Sequence, residues 1–443
     1  MTSISPRTYF IETYGCAANQ ADSAIMEGIL HESGYEKTTF NQAKYIIINT
    51  CAVKQATENK LRALLTELYQ YTLTHPDKKL IIAGCLPHIE LGYIELIGEI
   101  APSFSAIIGL NSIIKIGDII ARIEKGEEHL IIVSDTKIDK ARYLSDHQTN
   151  QLTAIIPISE GCTGICTYCC VKNARGGLRC YEPDSIVRAV EHYLRQGVKQ
   201  IYLTSQDCST YTDQSTTLAD LIARINDLPY KFYIRIGMLN PSVLMHNYDQ
   251  ITDILRLKKV YQFLHLPIQS GSNQILMKMK RPYKISDVMG RFENLREQFP
   301  FLTISTDVIC GFPGETEHDF YKTLNFIKWL QPEILNISQF TPRPGTKAKE
   351  MTQLKSEIIK TRTTRLTSVF RTSLEYMNRA WMGWEGEVLV LHKGNEPHQT
   401  FGRNFAYKNV FFKDYQGEFG TFVNVKITNV QGFNLYAKIL KQD

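Results

Sequence analysis

Short runs of β-branched and aromatic residues alternate with amphipathic stretches along the first part of the chain. The runs have the length and composition of buried strands, and the stretches between them have the apolar spacing of helices. Strand, helix and strand in this order predict a parallel sheet with crossover helices. The predicted strands are Thr8–Thr13, Tyr45–Asn49, Lys79–Ala83 and Ala106–Ile108, and the predicted helices are Ala21–Ser33, Thr57–Tyr71 and Ile113–Ile123.

A second alternating series follows a polar stretch from Asp135 to Leu152, which is predicted to be a linker. Helical patterns such as Pro183–Gln196 and Glu317–Leu330 separate most of its strands. Six β/α units suit a partial barrel better than an open doubly wound sheet. The strands are expected to begin near Ala154, Lys199, Lys231, Phe263, Leu302 and Glu333.

The C-terminal part changes character twice. Arg343–Arg379 is predicted to be helical beyond Gly345 and holds nine Lys/Arg against three Glu, an excess of +6. From Glu385 onward, short alternating runs separated by glycines predict a small all-β barrel or sandwich. The fold class is therefore α/β with a small all-β end. The predicted parts are 1–134 (N-terminal sheet domain), 135–152 (linker), 153–349 (partial barrel), 350–383 (basic helical connector) and 384–443 (β barrel).

Composition narrows the possible functions only a little. With 443 residues, 43 % of them apolar and 21 % charged, the chain is that of a globular protein. No apolar run approaches the roughly 20 residues of a membrane span, and no secretory leader is evident, so a cytoplasmic protein is expected. Ten cysteines in such a chain favour metal or redox chemistry. The net charge of +5 is too small to indicate nucleic-acid binding by itself.

Three cysteines follow the first barrel strand. Cys162, Cys166 and Cys169 can surround one side of a metal centre, and soft sulfur selects zinc, copper(I) or iron–sulfur. A structural zinc site requires four ligands, and Cys170 is poorly placed as a fourth because it adjoins Cys169. A four-iron cluster held by three cysteines keeps one iron open for a substrate. Zinc or coincidence is the competing interpretation.

Three further cysteines, Cys16, Cys51 and Cys85, each stand at or just after the end of a predicted strand, 35 and 34 residues apart. Because parallel strands end at one edge of a sheet, these thiols are candidates to converge. Free cysteines are also common as small buried residues, so spacing alone leaves both interpretations open.

The central motif C-x3-C-x-aromatic-C, after the first strand of a six-strand series, resembles the radical S-adenosylmethionine (SAM) superfamily. This resemblance implies a [4Fe-4S] cluster on Cys162, Cys166 and Cys169 whose open iron binds SAM and generates a 5′-deoxyadenosyl radical. By resemblance, the SAM contacts are Tyr168, Gln206, Asp207, Gln269, Ser270, Gly311, Gly314 and Glu315. The alternative explanation for these residues is that they form tight strand-to-helix turns.

The segments YGCAANQADS, NTCAV and GC around the first three cysteines resemble the N-terminal domain of the methylthiotransferases. That resemblance implies a second [4Fe-4S] cluster, on Cys16, Cys51 and Cys85, through which sulfur is delivered. It also implies two SAM molecules per turnover, a methyl donor and a radical source. The radical is needed because the acceptor C–H bond is too weakly acidic for a side-chain base. Cys170, Cys180, Cys208 and Cys310 are given no role.

The segments VKNARGG and RIGMLNP resemble the archaeal and eukaryotic class that acts on N6-threonylcarbamoyladenosine in tRNA, 3′ to the anticodon. Cys180 and Ile236 depart from that pattern. The C-terminal module resembles a TRAM domain, in which cations contact phosphates and rings stack on bases; some rings are expected in its core. A basic lining suits a threonylcarbamoyl carboxylate. The predicted RNA contacts are Lys172, Arg175, Arg179, Arg403, Tyr407 and Phe412.

Several partners and alternatives complete the prediction. The expected partners are the tRNA anticodon stem-loop, an electron donor of the ferredoxin or flavodoxin type and a sulfide or persulfide donor, with no membrane. Within the class, isopentenyladenosine in tRNA or a ribosomal protein is the alternative substrate. Outside it, the alternative is an RNA-binding protein with structural zinc sites.

Overall fold

The computed structural model describes residues 7–51, 53, 55–134, 136–143 and 152–440. The first part is a six-stranded, fully parallel sheet in the order β2-β1-β3-β4-β5-β6. Apolar side chains cover both faces of the sheet, which explains why its central strands are continuous apolar runs. Its elements are β1 (Thr8–Thr13), α1 (Ala17–Glu32), β2 (Glu36–Lys37), β3 (Tyr45–Thr50), α2 (Gln55–Thr74), β4 (Lys79–Gly84), α3 (Tyr93–Ile100), β5 (Phe104–Ile108), α4 (Ile116–Glu124) and β6 (Leu130–Ile132).

The central part is the expected six-unit partial barrel. Its main strands are parallel and follow one another as β7-β10-β13 and β14-β15-β16, and isolated bridges join the two sheets. Each main strand begins within two residues of its predicted start. The elements are β7 (Thr153–Pro157), β8 (Ser159–Glu160), α5 (Val171–Arg175), β9 (Arg179–Cys180), α6 (Pro183–Arg195), β10 (Gln200–Thr204), β11 (Thr212–Asp213), β12 (Thr216–Thr217), α7 (Leu218–Asn226), β13 (Tyr233–Ile236), α8 (Val243–His246), α9 (Tyr248–Arg256), β14 (Phe263–His265), α10 (Asn273–Lys278), α11 (Ile285–Gln298), β15 (Thr303–Cys310), α12 (Glu317–Leu330) and β16 (Ile334–Gln339).

The two faces of the central barrel strands differ in chemistry. On β10, Ile201 and Leu203 are fully buried and join the core formed with the surrounding helices. The alternate residue Tyr202 lies on the inner face, beside Ile155 of β7 and Arg235 of β13. The inner face therefore carries polar and aromatic side chains, which are available for ligands.

The basic connector differs from the prediction. Its helix, α13 (Ser356–Asn378), begins eleven residues after Gly345, and two of its arginines pair with acids of the central barrel, one in a buried pair and one at the surface. Arg362 donates to Glu315 (2.7 Å), and Arg365 donates to Glu317 (2.5 Å). These two pairs attach the helix to the central barrel. No helix in the described residues is both long and apolar enough to cross a bilayer.

The C-terminal module is a closed five-stranded barrel in the order β17-β18-β19-β21-β20. It packs against the N-terminal ends of the central strands, where the Gln262 amide donates to Phe405 O (2.9 Å) and Thr303 Oγ1 to Ala406 O (2.6 Å). The C-terminal barrel therefore covers the end of the central barrel opposite the cysteine loop. Its strands are β17 (Glu385–Lys393), β18 (Gln399–Asn404), β19 (Asn409–Lys413), β20 (Phe422–Gln431) and β21 (Asn434–Ile439).

Candidate functional site

The first cysteine triplet (Cys16, Cys51 and Cys85) lies along one edge of the N-terminal sheet. Cys16 is the N-cap of α1, Cys51 follows β3, and Cys85 follows β4. Asn19 lies between two of the thiols, with 3.6 Å between Cys16 Sγ and its Oδ1 and 3.8 Å between its Nδ2 and Cys85 Sγ. The structure thus brings together cysteines that are 35 and 34 residues apart in the sequence.

Buried polar groups hold these strand ends together. Asn49 Nδ2 donates to Asn19 O (2.8 Å) and to Ser23 Oγ (2.8 Å), while Asn19 Nδ2 donates to Thr50 O (2.9 Å). Gly84 adopts φ +99°, and a Cβ there would lie 2.4 Å from both Asn49 Oδ1 and Thr50 O. The strand ends meet so closely that only glycine fits before Cys85.

The second triplet (Cys162, Cys166 and Cys169) occupies the loop between β8 and α5. Cys162 Sγ accepts the Gly164 amide at 3.1 Å, and Arg281 Nη1 lies 3.5 Å from Cys166 Sγ. Burial raises the pKa of Cys169 to about 12 and that of Cys85, in the first triplet, to about 11. Near neutral pH these groups are therefore thiols unless a metal centre binds them as thiolates.

Each triplet offers three soft thiol ligands, one fewer than a structural zinc site requires. Among the described residues, no three or more His, Cys, Asp or Glu side chains are grouped as one metal ion requires. In a four-iron cluster, each cysteine would bind a different iron. Three soft ligands also leave one iron of such a cluster open.

The two triplets are joined by packing between the segments that follow them. Helix α5 follows the second triplet, and its Ala174 shares an apolar cluster with Cys85 and Leu86 after the first triplet. Arg175, at the end of α5, donates to Asp22 Oδ2 (2.8 Å) and to Glu160 Oε1 (2.7 Å). The cysteine loops of the two domains therefore lie against each other.

Lys140 completes this arrangement as a buried ion cluster (Asp22, Lys140, Glu160 and Arg175). Its Nζ lies 2.7 Å from Asp22 Oδ1 and 2.8 Å from Glu160 Oε1. Burial alone would raise the pKa of Glu160, but the charges of Lys140 and Arg175 outweigh it and hold that pKa below its ordinary value. Glu160 is thus charged at neutral pH, and the ion pairs link the two domains.

Three of the predicted RNA contacts follow the second triplet. Arg175 is 3 % exposed within the ion cluster, and Arg179 pairs with Glu160 at 2.9 Å. Both arginines therefore form ion pairs within the protein, with acids that lie outside their own loop. Because Arg175 is almost fully buried in these pairs, the structure does not present it to RNA. Lys172 is exposed, with its Nζ 3.3 Å from Gly164 O.

The other predicted RNA contacts lie in the C-terminal barrel. Phe412 is 2 % exposed in the barrel core, so its ring is not available to stack on a base. Its strand places it inward because Phe411 and Phe412 alternate faces. Arg403 lies over the Tyr407 ring at 3.8 Å and donates to Tyr407 O (2.9 Å). Both of these side chains are partly exposed.

Four of the predicted SAM contacts lie in the cysteine loop or at the ends of barrel strands. Tyr168 packs against the apolar cluster of Met279 and Phe312. Gln206 Oε1 accepts the Gly161 amide at 2.7 Å, and Asp207 Oδ1 accepts the amides of Ser209 (3.0 Å) and Asn240 (3.1 Å). Gln269 has φ +75° and is bridged to Val308 of β15. These residues connect strand ends around the cysteine loop.

The remaining predicted SAM contacts support the fold. Ser270 is 1 % exposed and Glu315 4 % exposed. Glu315 Oε2 accepts the Gly311 amide (2.9 Å) and Arg362 Nη1 (2.7 Å), which fixes the loop after β15. Gly314 O accepts Lys278 Nζ at 3.1 Å. The side chains of Ser270 and Glu315 are buried under their loops, and the structure does not present them to a ligand.

Sequence reasoning missed Arg281, which contacts the second triplet from 115 residues away. Its Nη2 donates to Pro267 O (3.0 Å), and its Nε donates to Tyr283 Oη (3.0 Å). A guanidinium beside Cys166 stabilises negative charge on sulfur. The adjacent Arg-Pro-Tyr run after α10 was the available signal, but nothing local shows which way Arg281 points.

The chain is similar along most of its length to proteins of one kind. Residues 156–327 match the family model described as Radical SAM superfamily, and residues 8–109 match Uncharacterized protein family UPF0004. A probable threonylcarbamoyladenosine tRNA methylthiotransferase of Pyrococcus horikoshii is 36% identical, over 97% of this chain and 99% of the relative. The Homo sapiens threonylcarbamoyladenosine tRNA methylthiotransferase is 33% identical, over 94% of this chain and 71% of the relative.

Solved structures with a similar fold are more distant in sequence. The radical SAM methyltransferase TsrM from Kitasatospora setae superposes with a TM-score of 0.56 at 13% identity, covering 77% of this chain and 75% of that one. The cobalamin-dependent radical SAM enzyme OxsB gives a TM-score of 0.54 at 12% identity, covering 84% and 56%. At these identities the likeness is one of fold alone.

Proposed function

The chain belongs to the family of threonylcarbamoyladenosine tRNA methylthiotransferases, and from this premise we propose that it attaches a methylthio group to C2 of N6-threonylcarbamoyladenosine, 3′ to the anticodon. The observation that carries the proposal is the juxtaposition of the two triplets through α5 and the residues after Cys85. A reaction that joins sulfur, a methyl group and an unactivated carbon needs both centres at one cleft. Nothing in a closed zinc protein requires that contact.

The residues proposed to hold the cofactors are the six cysteines. Cys162, Cys166 and Cys169 would hold the [4Fe-4S] cluster that binds SAM, and Cys16, Cys51 and Cys85 would hold the auxiliary one. When bound, these groups supply the methyl group, the 5′-deoxyadenosyl radical and the sulfur.

The protein itself supplies position and charge. Gln206 and Asp207 order the end of the second barrel strand beside the SAM-binding loop. Arg281 supports negative charge at Cys166. The ion cluster keeps the two cysteine loops in contact. These residues orient the reacting groups, which is where much of the rate advantage of a bound reaction arises.

We further propose the partners that this chemistry requires. Reduction of the clusters needs a low-potential electron donor of the ferredoxin or flavodoxin type. The transferred sulfur needs a sulfide or persulfide donor. We place the reaction in the cytoplasm, because its proposed substrate is tRNA.

The test is nucleoside mass spectrometry with the reconstituted full-length chain, SAM, reductant and sulfide. We expect a methylthio product on anticodon stem-loops that carry threonylcarbamoyladenosine and none on those that carry isopentenyladenosine. Product on the isopentenyl RNA alone would overturn the substrate while keeping the reaction. SAM cleavage without product on either RNA would point to another acceptor, such as a ribosomal protein.

Metal analysis tests the class of protein separately. We expect about eight irons with matching sulfide per chain after anaerobic reconstitution, for two four-iron clusters. Tightly bound zinc without sulfide would instead support an RNA-binding protein with structural zinc sites.

A further inference from the structure

One arginine on the inner face of the central barrel is surrounded by aromatic rings. The guanidinium carbon of Arg235 on β13 lies 4.8 Å from the ring centre of Phe263 and 5.2 Å from that of Tyr202. It also lies 5.2 Å from the ring centre of Tyr407, which the C-terminal barrel contributes. Arg235 is therefore placed where the two barrels meet.

Among the residues that the structure describes, no acid forms an ion pair with Arg235, which is partly exposed. Arg235 Nε is buried and has no hydrogen-bond partner in the part of the chain that the structure describes. By contrast, Arg175 contacts two carboxylates and Arg343 contacts Glu58 at 2.7 Å. Rings stabilise a guanidinium, but they do not satisfy its N–H donors.

The acid on the same inner face is held by other groups. Asp307 of β15 lies 3.0 Å from His265 Nε2 and accepts Asn336 Nδ2 at 2.8 Å. A guanidinium stays charged at any physiological pH. Arg235 therefore carries a charge that no described carboxylate pairs with, and an anionic oxygen of a ligand would pair with it.

Arg403 adds a second charge at the same junction, since it covers the Tyr407 ring at 3.8 Å. It also lines a cavity of about 630 Å³ where α1, the edge of the central barrel and the C-terminal barrel meet. Tyr202 and Phe401 form part of the cavity wall. Rings beside guanidinium groups form the type of surface that binds unpaired nucleotides.

We propose that Arg235 and Arg403 form an oxyanion site for the substrate RNA at the junction of the two barrels. The group bound there would be a singly charged oxyanion, either a backbone phosphate or the carboxylate of the threonylcarbamoyl group, and both accept charge-assisted hydrogen bonds from arginine. The inference rests on the proposed function for the identity of the RNA, but it concerns binding rather than turnover. The proposal gives Arg235 a role in binding RNA that is separate from the reaction at the two cysteine triplets.

The experiment measures the affinity of the cluster-loaded full chain for two anticodon stem-loops, with and without the threonylcarbamoyl group. We expect Arg235→Met to weaken binding of the modified RNA roughly tenfold, as for a lost charge-assisted hydrogen bond. If the ligand is the carboxylate, binding of the unmodified RNA stays unchanged. If it is a phosphate, both RNAs weaken, and the slope of log affinity against log salt falls by about 1.

Arg195→Met is the matched control, because Arg195 is 67 % exposed on α6 and pairs with Glu191. Wild-type affinity of Arg235→Met for both RNAs would overturn the proposal, including when its melting temperature falls, since the arginine would then only join the barrels. If Arg235→Met does not fold, Arg235→Lys decides by the same readout. The methylthio product is measured in a separate assay. A protein that binds RNA through this site but makes no methylthio product would therefore contradict the proposed function and leave the binding site supported.

Discussion

The two cysteine triplets are similar in chemistry and opposite in construction. The second is contained in one loop, Cys162–Cys169, so its members are neighbours before the protein folds. The first needs α1, β3 and β4 to be in place, because its cysteines follow different elements of the sheet. The second triplet therefore depends on local sequence, whereas the first depends on the stability of a whole domain.

The largest expected effect is the loss of a cysteine ligand, which should stop a different reaction in each triplet. Cys162→Ala should abolish formation of 5′-deoxyadenosine, because it removes a ligand of the proposed SAM-binding cluster. Cys85→Ala should keep SAM cleavage and lose the methylthio product. Each should lower the iron content from about eight to about four. Chromatography of 5′-deoxyadenosine with iron analysis checks this, and loss of SAM cleavage in Cys85→Ala would contradict the assignment.

Next in size is the loss of the contact that joins the triplets. Arg175→Met removes one of the two buried cations that face Asp22 and Glu160 and leaves these acids with Lys140, so it should destabilise the protein by about 3–5 kcal/mol. Urea denaturation of the loaded protein measures it. Arg179→Met is the control, because Arg179 is 20 % exposed and has one acidic partner, so a loss of about 1 kcal/mol is expected. Equal losses in the two variants would show that the ion cluster does not join the domains.

A smaller effect should fall on the first triplet alone. Gly84→Ala forces a Cβ to 2.4 Å from two buried oxygens at φ +99° and should cost about 3 kcal/mol. We expect the auxiliary irons to be lost while SAM cleavage persists. Gly92→Ala is the matched change, with φ +88° and open space around the added carbon, and should cost about 1–2 kcal/mol. Full iron content in Gly84→Ala would mean that the strand ends tolerate separation.

The smallest expected effect depends on pH. Arg343 joins the segment after β16 to Glu58 of α2 (2.7 Å). Burial alone would raise the pKa of Glu58, but hydrogen bonds from Arg62 and Arg343 outweigh it and lower that pKa. The carboxylate therefore stabilises the protein above the ordinary carboxyl pKa of about 4.3, and this stability is lost as the pH falls through the lower folded value.

The corresponding variant is Glu58→Gln. We expect it to melt below the wild type at pH 7, by an amount worth about 1–3 kcal/mol, and the gap to narrow near pH 4. Glu127→Gln, which breaks an exposed pair with Arg122, should change little at either pH. A Glu58→Gln gap that is constant from pH 7 to pH 4 would contradict the shifted pKa.

The comparison also shows what the sequence can reveal. Strand positions and both triplets were predictable, because apolar periodicity and cysteine spacing are properties of short segments or of regular repeats. The partners of Arg175 were not predictable, since Asp22 is 153 residues away. A basic residue in a loop has the same sequence signature whether it faces RNA or a buried acid. The prediction that Phe412 contacts RNA was wrong for a related reason. The sequence shows that side chains alternate along β19, but it does not show which face packs into the barrel core.

The C-terminal barrel is fixed to the central barrel by backbone as well as side-chain bonds, including those from Gln262 to Phe405 and from Thr303 to Ala406. The RNA contacts proposed for the C-terminal barrel would therefore lie at a fixed distance from the cysteine loops. With such spacing the enzyme would select its nucleotide by its distance from those contacts, and a stem-loop with its target moved by one position would bind without being modified.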